Sequence, residues 1–285
     1  MHQSCRPNSK DFQLPILLVS GVLMFVDVHT HVFHPRIVEK AKQRLNEHYR
    51  LPCRCKGTAE DLLMRAQRCG IDHVVALCAA TSAAQVQPCN GYAGFLQNTY
   101  PEITAFGSIH PDYDDWKAEL DRLRIFGVRG LKLHPDFQGF RLDDPRLLPI
   151  FEEAQHDFIF MMHIGDSLPP EQNPSCPYKL AKILDTFPDM RVIAAHLGGY
   201  RHWEHSLEVL AGRNVWMDTS SCVDEIPDEL LKEILRRHPR DYVLFGTDYP
   251  IHDPWEELDA LQRRTGFSSA EMDEVLSNGA NVLFG

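Results

Sequence analysis

The sequence contains no run of lysine and arginine, and its formal net charge is −11, so it offers no basic stripe for sequence-independent binding of nucleic acid. It also lacks an apolar stretch long enough to cross a bilayer. The run at residues 14–26 is well short of the ~20 residues a transmembrane helix needs. No low-complexity segment and no short-period repeat is present, which excludes a solenoid or a propeller. The eight cysteines form no regular framework. Cys53 and Cys55 are the one close pair, and no second Cys/His pair stands at zinc-finger distance from them. Several others lie inside apparent strands or helices, as buried free thiols do, which points to a reducing cytoplasm. A glycine-rich phosphate loop after the first strand, the mark of a doubly wound nucleotide fold, is missing too.

What remains is the composition of a packed α/β protein. From Met24 onward, β-rich apolar runs alternate with longer amphipathic stretches. The runs fall at residues 24–30, 73–79, 103–109, 128–134, 158–164, 191–197, 214–219 and 242–247. Runs such as Val74-Val75-Ala76-Leu77-Cys78 are continuously apolar, as strands of a parallel sheet are when both faces are covered. Between them, Thr58 caps a helix that closes at Cys69-Gly70, and helices are expected at 114–126, at 146–156 after Pro145, and at 225–238. Eight alternations in about 260 residues match a single (β/α)8 TIM barrel, class α/β, over residues 24–285. Residues 1–23 read as an N-terminal extension. Arg6 and Lys10 precede its apolar run as in a signal peptide, but no small-x-small cleavage site follows, and Met24 stands where an alternative start would begin the first strand.

Two short insertions follow strands one and five. Residues 34–57 hold an expected helix at 35–49 and the Cys53-Arg54-Cys55 loop, and residues 165–178 are rich in proline. Both leave C-terminal strand ends, where a barrel builds its active site, so both are candidate lids.

The chemistry gathers at those same ends. His29 and His31 stand two apart on strand one and so project to one face. A His-x-His pair alone is common on surfaces, but polar closure of an apolar strand recurs at His163, at His196 and at Asp248. Burying such groups is costly unless they are paired or coordinated, and imidazole with carboxylate suits zinc and similar divalent ions.

These motifs, Asp27-Val28-His29-Thr30-His31, Gly130-Leu131-Lys132-Leu133-His134-Pro135, Ala195-His196-Leu197-Gly198-Gly199, Phe245-Gly246-Thr247-Asp248-Tyr249-Pro250 and the closing Asn278-Gly279-Ala280-Asn281, resemble the amidohydrolase superfamily. The resemblance is to its amidohydrolase-related (amidohydrolase 2) branch, which includes metal-dependent hydrolases, lactonases and aminocarboxymuconate-semialdehyde decarboxylase-like enzymes, and it covers residues 24–285. It implies one divalent metal, Zn2+ by preference over Mn2+, Fe2+ or Co2+, held by His29, His31, His163 and Asp248. It implies that His196 does not bind that metal but polarises the substrate or orients water. Asp248 and His196 are then the catalytic pair, and Lys132, His134 and Arg54 are candidate contacts to a small anionic substrate. Lys132 stands where binuclear relatives carry a carboxylated lysine bridging two metals; the unmodified lysine is preferred because a free ammonium beside a metal suits an anion. His110, His202 and Trp203 read as structural, and Asp166 and Tyr249 are near the site by position alone.

The leading expectation is hydrolysis of an amide, ester or lactone by metal-bound hydroxide. The alternative is non-oxidative decarboxylation on the same centre, with hydration a third chemistry for the scaffold. A metal-free binding or scaffold barrel is the rival from another class, and it has no use for four polar strand ends meeting on one face. The expected partner is a small molecule, neither nucleic acid nor membrane, and a homo-oligomer stays open.

Overall fold

The computed structural model describes residues 23–285; the expectations for the N-terminal extension lie outside the described residues. Eight strands follow one another around one sheet in chain order: β1 (Val26–Thr30), β2 (His73–Leu77), β3 (Ile103–Gly107), β4 (Gly130–Leu133), β5 (Ile159–Met162), β6 (Arg191–Ala194), β7 (Trp216–Asp218) and β8 (Val243–Leu244). Every neighbouring pair is parallel. The sheet closes through the backbone just beyond β8: Val28 donates to the Phe245 carbonyl at 2.9 Å, and Asp248 donates to that of His29 at 2.8 Å. All eight expected strands are present, each shorter than its apolar run, and in all but β1 the last residues of the run lie beyond the strand.

Alternation along the strands sorts the core into two clusters. Val74, Ala76 and Cys78 of the second run pack with Ala59, Leu62 and Ala66 of the helix Ala59–Arg68, outside the barrel. Val75 and Leu77 group instead with Phe106, Met161, Ile193 and Leu244, which fill the interior. Gly130 belongs to that packing: a Cβ there would sit 2.1 Å from the Phe106 ring, so the aromatic occupies the space a side chain would need.

Local signals set the helix boundaries. Thr58 caps its helix through the Asp61 amide, as the sequence indicates, and Ser268 with Glu271 forms a capping box on the last helix, Ser269–Phe284. The expected helix at 35–49 starts at Val38, and the one at 225–238 starts at Asp228 after Pro227, whose extended backbone ends the preceding loop. Residues 145–147 make a short 3-10 turn before the helix Leu148–Ala154. The described cysteines are free thiols, and among the described residues no helix is long and apolar enough to cross a membrane.

Gly130→Ala should destabilise the barrel by about 1–3 kcal/mol through overpacking against Phe106. Pairing it with Phe106→Leu should recover part of that loss; urea denaturation of the single and double variants measures both.

Candidate metal centre

β1 carries an irregularity where the site begins. Between the paired Asp27–Val74 and Thr30–Ala76 it holds one residue more than β2, and His29 lies within that stretch. Such an extra residue breaks the ladder and re-aims side chains. The closing bond from Asp248 to the His29 carbonyl then brings the end of β8 alongside. As a result the ligating atoms of His29, His31 and Asp248 lie within 4.8 Å of one another. Asp248 Oδ1 is 3.3 Å from His31 Nε2 and 3.6 Å from His29 Nε2, while its Oδ2 accepts the Ser221 hydroxyl at 2.6 Å.

Each imidazole is oriented by what its other nitrogen meets. His29 Nδ1 lies 2.9 Å from Asp218 Oδ2, His31 Nδ1 lies 3.1 Å from the Leu77 carbonyl, and His196 Nδ1 lies 2.9 Å from the Ser220 carbonyl. Donation from Nδ1 leaves Nε2 a free acceptor, the state in which histidine binds a metal. His163 falls outside the trio. Its Nδ1 faces His196 Nε2 at 3.0 Å and its ring stacks on His134 at 3.8 Å, yet its Nε2 is buried with no hydrogen-bond partner. An orphaned buried nitrogen on a ring between His134 and His196, in a second cluster with Asp136, fits a metal ligand.

Burial governs the charge states. It pushes His29 down to about 4, helped by the nearby Lys132 ammonium. It holds His134 and His163 well below the ordinary histidine value, with neighbouring rings and Lys132 adding to the effect. Burial also raises the carboxyl of Asp248, but the His31 hydrogen bond and the charges of His29 and His31 outweigh it and leave the group well below its usual range. Asp218 follows the same balance, with His29 pulling it down. Burial thus favours the uncharged ring at His29, His134 and His163, and it leaves Asp248 and Asp218 below the usual carboxylate range, which is donor chemistry that suits a divalent cation.

Lys132 is fully buried, its Nζ 3.2 Å from His29 Nε2, and burial lowers it to about 8. It stands behind His29 and is absent from the cleft lining. His134 does line the cleft, its Nε2 3.1 Å from the Tyr49 hydroxyl. Arg54 is not brought to the site: its exposed guanidinium pairs with Glu256, so the proximity suggested by the first insertion is taken up by a surface ion pair. His110 and His202 bond backbone carbonyls of Gln138 and Leu168, Trp203 donates to the His196 carbonyl, and Tyr249 bonds Asp61, all structural placements.

The residues not foreseen are Asp218 and Ser220, which hold His29 and His196, and Asp27. Asp27 accepts from the Thr247 hydroxyl at 2.6 Å, and burial raises it to about 7. Asp218 closes the seventh apolar run, the same signal that marks Asp248. His196, Ser221 and Asp248 all take left-handed backbone, with φ of 62°, 50° and 59°. That conformation is costly for residues other than glycine and is retained where surrounding bonds hold it.

Above the floor opens a cleft of about 1000 Å3, into which His29, His31, His134, His163, His196 and Asp248 all face. Its walls include Phe33, Tyr49, Tyr92 and Phe137. The helix Val38–Tyr49 of the first insertion forms one side, and His48 on it pairs at 2.8 Å with Asp166 of the second insertion. The two insertions thus meet beside the opening.

Residues 26–285 match the amidohydrolase family. The chain belongs to that family. No curated protein matches it in sequence. Among solved structures it is similar to an uncharacterised TIM-barrel protein of Bordetella bronchiseptica, with a TM-score of 0.75 and 18% identity over 92% of this chain and 98% of the other. A dihydroxybenzoic acid decarboxylase of Polaromonas, with bound manganese and the inhibitor 2-nitroresorcinol, aligns with a TM-score of 0.67 at 14% identity over 92% and 97%. A putative 2-pyrone-4,6-dicarboxylic acid hydrolase of Pseudomonas putida aligns at 0.65 with 17% identity over 93% and 98%. These likenesses establish the barrel fold.

Asp218→Asn should weaken divalent-metal binding about 10–100-fold, because His29 loses the acceptor that fixes its ring. Metal titration by calorimetry, with circular dichroism to confirm folding, checks it; an unchanged affinity would mean Asp218 only packs.

Proposed function

We propose that this protein is a metal-dependent, non-oxidative decarboxylase of a small unsaturated or aromatic carboxylic acid. This replaces hydrolysis as the leading reading. One observation carries it: a cleft walled by Phe33, Tyr49, Tyr92 and Phe137 opens directly onto a floor of buried imidazoles and one carboxylate. Decarboxylation is favoured when a substrate carboxylate leaves water for such surroundings, whereas hydrolysis needs water delivered to the floor. The barrels of several decarboxylases with the same architecture, one of them manganese-bound, support the choice.

In this reading His29, His31, His163 and Asp248 hold one divalent ion, Mn2+ or Zn2+, and Lys132 is unmodified. When bound, the ion would supply positive charge for the substrate's oxygens. The C–C bond to the carboxylate breaks, carbon dioxide leaves, and the electron pair stays on the substrate carbon until a proton arrives there. That proton comes from solvent, and Asp248 and His196 are the floor groups that would relay it to the carbon. Ser221 holds the Asp248 carboxylate in one orientation, and Lys132 keeps positive charge beneath the floor. The aromatic side chains of the wall would limit the water around the carbon while it is electron-rich. The free thiols agree with a cytoplasmic setting.

Chelator-treated protein should lose activity and regain it on addition of Mn2+ or Zn2+. A panel of hydroxybenzoates, unsaturated acids, lactones, amides and esters then decides the chemistry. Carbon dioxide release is expected from members of the first two classes, and Asp248→Asn should lower the rate about 10²–10⁴-fold. Hydrolysis of a lactone, amide or ester, with no carbon dioxide from any acid, would overturn the proposal and restore the hydrolase.

A further inference from the structure

The helix Val38–Tyr49 turns one face toward the cleft, and on that face stands a column of positive charge. Arg36, Lys40 and Arg44 recur every fourth residue, so they stack along one side of the helix and the turn before it, and all three line the cleft. Like charges at that spacing repel one another. Among the described residues none of the three forms an ion pair, although Lys42 on the same helix pairs with Glu39 at 3.9 Å. In a chain of net charge −11 this is a locally inverted field. The acids lining the same cleft do not cancel it: Glu60 is engaged by the Tyr100 hydroxyl at 2.6 Å, and Asp248 belongs to the floor.

Arg44 is the fixed member of the column. Its Nη1 donates to Thr81 Oγ1 at 3.1 Å, and its guanidinium lies over the Phe137 ring at 5.3 Å. Its Nη2 also donates to the Phe137 carbonyl at 3.5 Å; all three contacts are with neutral groups, so the charge stays uncompensated while the side chain is held in place, and donors remain in the planar fork that suits a carboxylate. Phe137 in turn packs on His134 at 4.4 Å, and His134 stacks on His163. A run of touching rings therefore connects the charged wall with the imidazole floor.

We infer that the substrate is a dianion: one carboxylate sits at the floor and is lost, and a second anionic group, a carboxylate, is held by Arg44 with Lys40 and Arg36. This rests on the decarboxylase reading for the fate of the first carboxylate, but the second-anion site is tested by binding alone. Isophthalate and benzoate share a ring and differ by one carboxylate. The manganese-loaded protein should bind isophthalate at least ~10-fold more tightly than benzoate by calorimetry, with the preference falling as salt rises. Arg44→Met and Lys40→Glu should each cut that preference severalfold, Arg44→Lys should retain part of it, and Arg54→Met, on a surface pair outside the cleft, should leave it intact. Equal affinity for the two acids in the unaltered protein, no measurable binding of either, or a preference that survives both Arg44→Met and Lys40→Glu would overturn the inference. If the preference behaves as expected but no acid releases carbon dioxide, the dianion site is supported and the decarboxylase reading alone is lost.

Discussion

Closing an eight-stranded parallel barrel requires the last strand to bond back to the first, and here that bonding runs through the residues of the site. β8 is only two residues long, so the Asp248 amide and the His29 carbonyl lie beyond its ladder and complete the circle. Asp27 reinforces the seam by accepting from both the amide and the hydroxyl of Thr247. The carboxylate of Asp248 meets the two imidazoles of β1 because the backbones that carry them are hydrogen-bonded. Fold and site share one set of bonds, and loosening the seam would disperse the donors.

The same constraint explains why so many polar groups are tolerated in so small a volume. A buried donor or acceptor without a partner costs about 1–3 kcal/mol, and more when charged. At this end of the barrel nearly all of them serve one another: Asp218 takes His29, the His196 amide and Ser220, and Ser221 takes Asp248. Among the rings that line the floor, His163 Nε2 is left without a partner. A buried ring nitrogen without a partner, on a residue that lines the cleft, is under-coordinated in the way a cation would relieve. The left-handed backbone at His196, Ser221 and Asp248 is held by the same bonds, so the strain and its restraint sit together.

Much of this was legible in the residues. Continuous apolar runs closed by His or Asp are costly in any other arrangement, so the eight strands and the convergence of His29, His31 and Asp248 followed from patterning and burial cost. Asp218 obeys the same rule and was still overlooked, because Thr219, Ser220 and Ser221 after it read as an ordinary polar loop, and nothing in the local pattern says that His29, far along the chain, needs an acceptor. Arg54 was misplaced for the converse reason. Its position in the first insertion suggested the cleft, whereas its partner Glu256 lies on a helix whose neighbours only the closed barrel reveals. Which face of the helix Val38–Tyr49 would line the opening was equally hidden, because polar residues surround that helix and none of it is fully buried. The docking of its His48 onto Asp166 decides the orientation.

That division between floor and wall bears on what chemistry the barrel runs. The floor is fixed by closure and by reciprocal hydrogen bonds, so it can change little without costing the fold, and imidazoles with one carboxylate serve hydrolysis and decarboxylation equally well. The walls come from insertions that the barrel does not need for closure, and they are free to vary in polarity and charge. Phe33, Tyr49, Tyr92 and Phe137 line the cleft above the floor, together with Arg36, Lys40 and Arg44. Reaction type is then chosen by whether the wall admits water, and substrate type by the charge it presents. In the decarboxylase reading proposed above, an aromatic wall with uncompensated cations would select a flat anion and shield it, the combination that favours losing carbon dioxide over adding water.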